Sequence, residues 1–168
     1  LDANGTITVT GGLTIAIGSQ SPEEGFDCDQ NTFKITGGIM VGIGGATSTP
    51  TASVCTQRAL IFKSLTSGTA LSITNASGKE ILTFKVPTIS GGGGFPGGGG
   101  GPGGGGPGGG SGKLTLLFSS PDLTTGSCSI RQGGSISGGT DFNGYYTGAT
   151  YTGGTATNVT ISGMVTQK

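Results

Sequence analysis

Thr6-Ile7-Thr8-Val9-Thr10-Gly11-Gly12 returns as Thr32-Phe33-Lys34-Ile35-Thr36-Gly37-Gly38. The echo starts earlier, where Leu1-Asp2-Ala3-Asn4 lines up with Phe26-Asp27-Cys28-Asp29. The offset grows from 25 residues (1 to 26) to 26 (6 to 32), so one residue is inserted between the two halves. Repeats of this length signal stacked, solenoid-like units. Inside each copy the apolar residues alternate with Thr, Asp and Asn, which is the period of a strand. The repeat therefore predicts two rungs of a parallel β-helix over residues 1–53, one lying on the other in register. Inward rows are expected at Ile7, Val9, Leu13, Ile15 and Ile17, and at Phe33, Ile35, Ile39, Val41 and Ile43. Gly11-Gly12 and Gly37-Gly38 read as corners, because left-handed backbone costs little only for glycine. Residues 18–25 become the loop between rungs. Two rungs leave two open ends, and something must cover them.

Beyond residue 53 the pattern changes. Ala59-Leu60-Ile61-Phe62 is a short apolar strand. Leu71-Ser72-Ile73-Thr74 and the segment Glu80 to Val86 flank Asn75-Ala76-Ser77-Gly78, a strong hairpin turn. Leu114 to Phe118, Ser127 to Ile130 and Asn158 to Val165 add three more strands. Residues 54–168 thus read as a small antiparallel cap or sandwich on the end of the rungs, and the fold class as all-β. Gly144 to Gly154, with Tyr145, Tyr146 and Tyr151, reads as a long aromatic loop or bent strand on that cap. In residues 91–112, 17 of 22 are glycine, the composition of a flexible linker. The tract lies between two predicted strands, so it is expected as a large Gly/Pro-rich loop inserted in the cap. Regularly spaced proline also suits extended left-handed helices, which pack side by side when a neighbour holds them.

The chain has eight basic and eight acidic residues, which gives no electrostatic case for nucleic acid. No apolar run approaches the roughly 18–20 residues of a membrane-spanning helix, and no membrane insertion is expected. Only 10% of residues are charged, as in turn-rich all-β surface proteins. The sequence starts at Leu1, in mid-rung and without Met, which reads as removal of upstream residues. Histidine and tryptophan are absent, which removes the commonest general base and metal ligand and the best sugar-stacking ring. Glu23-Glu24, Lys34 and Arg58 have no partner cluster in sequence, so no enzyme is expected. Cys28, Cys55 and Cys128 are too few and too scattered for a zinc-thiolate site. Two readings stand for them: buried thiols packing as small hydrophobes, or a Cys28–Cys55 disulfide formed in an oxidising exterior.

Stacked strands lie about 4.8 Å apart, so the repeat places Asp2 above Asp27 and Asn4 near Asp29. Carboxylates at that spacing repel unless a hard cation such as Ca²⁺ bridges them. The alternative is that these are ordinary turn residues bonding their own backbone. Tyr145, Tyr146 and Tyr151 suit stacking on sugar rings, or else they cover the cap's own core. Asn75-Ala76-Ser77 and Asn158-Val159-Thr160 match glycosylation triplets, a pattern frequent by chance in Ser/Thr-rich chains.

The two rungs, the strand Ala59-Leu60-Ile61-Phe62, the Gly/Pro-rich insert, Ser119-Ser120-Pro121-Asp122-Leu123, Gly144-Tyr145-Tyr146-Thr147-Gly148 and Tyr151-Thr152-Gly153-Gly154 follow in an order that resembles the C-terminal part of a family. That family comprises bacterial secreted carbohydrate-binding domain-containing β-helix proteins. The resemblance implies binding of cellulose or pectic polysaccharide, with calcium held by acidic residues at the positions of Asp2, Asn4, Asp27 and Asp29. The residues themselves lead first to another expectation. The outer edge of the first rung, Leu1 to Gly18, offers unpaired backbone groups. A second copy's cap or C-terminal strand would cover it, and head-to-tail contacts that do not close give filaments. The expected function is a non-enzymatic structural subunit of a self-assembling surface filament or matrix fibre, secreted by a bacterium. The alternative is a monomeric calcium-dependent carbohydrate-binding module.

Overall fold

A computed structural model describes residues 1–19, 24–29, 31–89 and 113–168. The Gly/Pro-rich tract and residues 20–23 of the loop between the repeats lie outside the described residues. Thirteen strands and no helix occur among them. These are β1 Ile7–Ile17, β2 Phe33–Gly44, β3 Ala59–Leu65, β4 Ala70–Thr74, β5 Glu80–Lys85, β6 Leu114–Ser119 and β7 Gly126–Gln132, then β8 Ser135–Ser137, β9 Thr140–Phe142, β10 Tyr145–Thr147, β11 Thr150–Thr152, β12 Thr155–Ile161 and β13 Val165–Gln167. The protein is all-β, as the alternating pattern requires.

The repeat forms the parallel pair that its spacing predicts. Ile7 lies opposite Phe33, Val9 opposite Ile35, Leu13 opposite Ile39 and Ile17 opposite Ile43. The register shifts at Thr10 to Leu13, where each Gly-Gly bulges its strand without ending it. Gly38 adopts φ +88°, and a Cβ there would lie 2.7 Å from the carbonyl carbon of Gly11. The two copies therefore stack backbone on backbone at this level. Gln57 is buried there and donates from Nε2 to Gly38 O (2.8 Å) and to Ser119 Oγ (2.8 Å), so the Gly38 carbonyl is satisfied at the bulge.

The bulge also corrects the expected inward row. Ahead of it Ile7, Phe33 and Ile35 face one cluster, with Phe26, Cys28 and Cys55. Past it Ala16 and Met40 join that cluster, whereas Ile15, Ile39, Val41 and Ile43 turn to the opposite face. One inserted residue swaps the faces of a strand whose side chains alternate.

A second difference concerns the cap. It is not stacked on the end of two closed coils. β6 pairs antiparallel with β2, and β3 with β6, so β1 is the edge and β2 the next strand of one open sheet ordered β1-β2-β6-β3-β13. Both faces of that sheet are covered, which explains the unbroken burial of Leu114-Thr115-Leu116-Leu117-Phe118-Ser119. β4 and β5 form the predicted hairpin, but β5 and β6 lie in different sheets. The main core, including Leu60, Phe62, Leu71, Phe84, Phe118 and Ile130, fills the space between this sheet and a six-stranded antiparallel sheet ordered β12-β7-β4-β5-β10-β9.

The expected strand from Asn158 to Val165 divides into β12 and β13, one in each sheet. β12 instead belongs to a long hairpin that the sequence had not suggested. Ile161 sits opposite Gly126, Thr152 opposite Ser135 and Tyr145 opposite Phe142, one register through three strand pairs. Pairs of residues interrupt it every five positions: Gly133-Gly134 and Gly138-Gly139 on one arm, Gly148-Ala149 and Gly153-Gly154 on the other. All these glycines have positive φ. The tip is Asn143-Gly144, both residues again at positive φ, as a tight two-residue hairpin turn demands. The bent ladder leaves the β12–β7 end of the six-stranded sheet, and its tip returns to pair β10 with β5.

Candidate functional site

β1 is one edge of its sheet, and its outer side has no strand partner among the described residues. Ile7 N donates to Thr32 O (3.0 Å) and Gly18 N to Ile43 O (2.7 Å). Residues of a parallel strand alternate in the side to which they hydrogen-bond. Thr8 before the bulge, and Leu13, Ile15 and Ile17 after it, therefore turn their amides to the open edge. The repeat also supplies an internal comparison. Leu1 is 58% exposed while its counterpart Phe26 is fully buried, and Ile17 is 45% exposed against 0% for Ile43. At these two positions an apolar residue that is buried in the second copy meets solvent in the first.

Asp2 and Asp27 are parallel bridge partners, with Ala3 N donating to Asp27 O (2.9 Å) and Asp27 N to Leu1 O (2.8 Å). Asp27 Oδ1 accepts from Asp29 N (3.0 Å), and Asp29 has φ +46°, so that carboxylate closes a turn. Asn4 is exposed. Ca²⁺ takes six to eight oxygens, and the described residues of this corner do not by themselves build such a cage. Among them no cluster of three or more His, Cys, Asp or Glu is present. Nearby, burial and then the Asp27 carboxylate raise the pKa of Glu24, opposed by the Ser48 hydroxyl that donates to its Oε2 (3.3 Å).

Cys28 and Cys55 are separate thiols, not a disulfide. Each is engaged elsewhere: Cys28 Sγ donates to Asn31 O (3.4 Å), and Cys55 Sγ accepts from Ile35 N (3.3 Å). Burial pushes the Cys128 thiol up to about 11. With all three buried, a thiol reagent is expected to label none in the native protein and three after denaturation. Fast labelling of native Cys28 or Cys55 would contradict the packing described here.

The tyrosines do not form one platform. Tyr145 packs against the main core, and Tyr146, next along β10, points to the other face. Both border a cleft of about 280 Å³, with Ile39, Glu80, Leu82 and Asp122 on its other walls. The exposed Lys79–Asp122 ion pair (2.8 Å) stands at its rim. Tyr151 lies elsewhere. Its hydroxyl donates to Gly133 O (2.5 Å), and the Arg131 guanidinium sits 5.8 Å from its ring centre. Burial raises the pKa of that phenol, Arg131 opposes the shift and Glu80 reinforces it.

Sequence reasoning missed Glu80, whose carboxylate accepts from Ser72 Oγ (2.8 Å) and from Thr83 Oγ1, and it missed Arg131. Only the strand alternation of Ser72, Thr83 and Arg131 could have indicated a shared polar face. Asn75 is buried and fully used: Oδ1 accepts from Ser77 N, Ser77 Oγ and Lys79 N, and Nδ2 donates to Asp122 O. It is a turn residue, unavailable to a glycan. Asn75→Ala is expected to cost about 2–3 kcal/mol through these lost bonds, measured by urea unfolding; a change under about 0.5 kcal/mol would contradict that role. Comparison with family models, curated proteins and solved structures finds no match.

Proposed function

We propose that this protein is a non-enzymatic structural subunit, secreted and assembled head-to-tail into a surface filament or matrix fibre. In this reading β1 and β2 act as two rungs of a β-helical stack that a further copy continues. The observation that carries it is β1: eleven residues long, at a sheet edge, with exposed apolar residues where its repeat partner is buried. Proteins that stay monomeric blunt such edges with charge, proline or a covering segment, and β1 contains neither charge nor proline. Negative-stain microscopy of the purified chain at rising concentration tests the reading. Rods that lengthen with concentration are expected. Single particles at every concentration would overturn it.

A second reading, adhesion to polysaccharide, is favoured by the cleft that Tyr146 borders together with Glu80 and Asp122. It predicts retention on insoluble cellulose or pectin and loss of retention in Tyr146→Ala. If calcium bridges Asp2 and Asp27, chelation weakens that retention too. Passage through both matrices unretained would remove this reading.

A further inference from the structure

Two glycines of the repeat carry the inference. Neither Gly37 nor Gly11 has a positive φ, so backbone conformation does not call for glycine at either. At Gly37 the reason is steric: a Cβ would stand 2.5 Å from Thr10 O, because β1 lies over β2 at that point. Gly11 is the same position one rung out, and nothing among the described residues lies within 4 Å of where its Cβ would be. The sequence keeps at the open edge a feature that the inner strand needs only because another backbone sits on it.

We propose that the outer edge of β1 receives a parallel strand from a second copy, stacked on Gly11 as β1 is stacked on Gly37, and that this strand is β13. The proposal rests on the assembly reading above and names its contact. The direction of β13 fits. β1 runs parallel to β2, β2 antiparallel to β6, β6 antiparallel to β3, and β3 parallel to β13. β1 and β13 therefore run the same way at opposite edges of one sheet. Copies in one orientation join these edges into a continuous sheet by a heterologous contact that does not close.

The hydrogen-bonding groups of β13 also fit. Ala59 N donates to Met164 O, Lys168 N to Ile61 O and Lys63 N to Lys168 O. Alternation along a parallel strand then leaves Val165 and Gln167 with N–H and C=O turned outward. One of those carbonyls occupies, over Gly11, the place that Thr10 O holds over Gly37.

The test uses the full chain and two variants, each checked for fold by circular dichroism. Gly11→Val adds a side chain into open space in the isolated subunit but onto the incoming backbone in the assembly. Gln167→Pro removes one outward N–H and none of the bonds to β3. In sedimentation velocity the parent is expected to form an open-ended series. Each variant should need a roughly ten- to hundredfold higher concentration to associate, the equivalent of an overlap of about 1–3 kcal/mol. An equimolar mixture of the two should stop at dimers, since each keeps the edge the other has lost. If the parent assembles and Gly11→Val assembles as well, the contact is wrong while the assembly reading stands. If Gln167→Pro leaves a closed dimer intact, β1 pairs with β1 across a two-fold axis and the proposal is overturned. A parent that stays monomeric overturns the assembly reading and this contact together.

Discussion

Gly38→Val is expected to lose about 2–5 kcal/mol of stability, seen as a lower midpoint in urea. Two costs add. A β-branched residue held at φ +88° costs about 1–2 kcal/mol. Its side chain also meets Gly11 C at 2.7 Å and Gly12 O at 2.8 Å, backbone atoms that cannot turn aside, for about 1–3 kcal/mol more. Gly12 shares the left-handed backbone (φ +78°) but has no neighbour within 4 Å among the described residues, so Gly12→Val should lose only the first of these. Equal losses at the two positions would mean that β1 does not lie on β2 as described.

Phe26→Ala should cost about 3–5 kcal/mol, the range for deleting a buried aromatic ring. The Phe26 ring is fully buried, its centre 5.7 Å from that of Phe33. It also packs against Gly42, where a Cβ would come within 2.5 Å of its Cδ2. This ring fills the second core, on the face of the five-stranded sheet away from the main one. Leu1→Ala, the matching deletion in the outer copy, should cost under about 0.5 kcal/mol in the isolated subunit, since the side chain is 58% exposed. A small loss at Phe26 would show that the segment around it is not part of the packed fold.

The sequence made some of this architecture legible and hid the rest for physical reasons. The pairing of β1 with β2 followed from side-chain identity at a fixed offset, and the β4–β5 hairpin from the Asn75 to Gly78 turn. The reversal of facing at Gly11-Gly12 was hidden because an alternating pattern does not show a one-residue slip when residues on both faces are apolar. The place of β6 beside β2 was hidden because a sheet neighbour reached through the Gly/Pro-rich tract leaves no local signal. The long hairpin from Gly126 to Ile161 left only paired positions every five residues, all but Ala149 glycine. Such pairs suggest loops, yet here positive φ on facing arms bends the ladder while its register continues. Of the candidate sites, the stacking of Asp2 on Asp27 was legible from the repeat. The separation of Tyr151 from Tyr145 and Tyr146 depends on how the hairpin folds back and could not be read from spacing.

Hydrogen exchange on the intact chain, dilute and concentrated, tests the open edge most directly. The amides of Thr14 and Ala16, bonded to β2, should exchange slowly at both concentrations. Those of Thr8, Leu13, Ile15 and Ile17 should exchange quickly in dilute protein and become protected as concentration rises. Outward amides that exchange equally fast at both concentrations, or that are already protected in the dilute monomer, would contradict the claim that β1 is an edge awaiting a second copy.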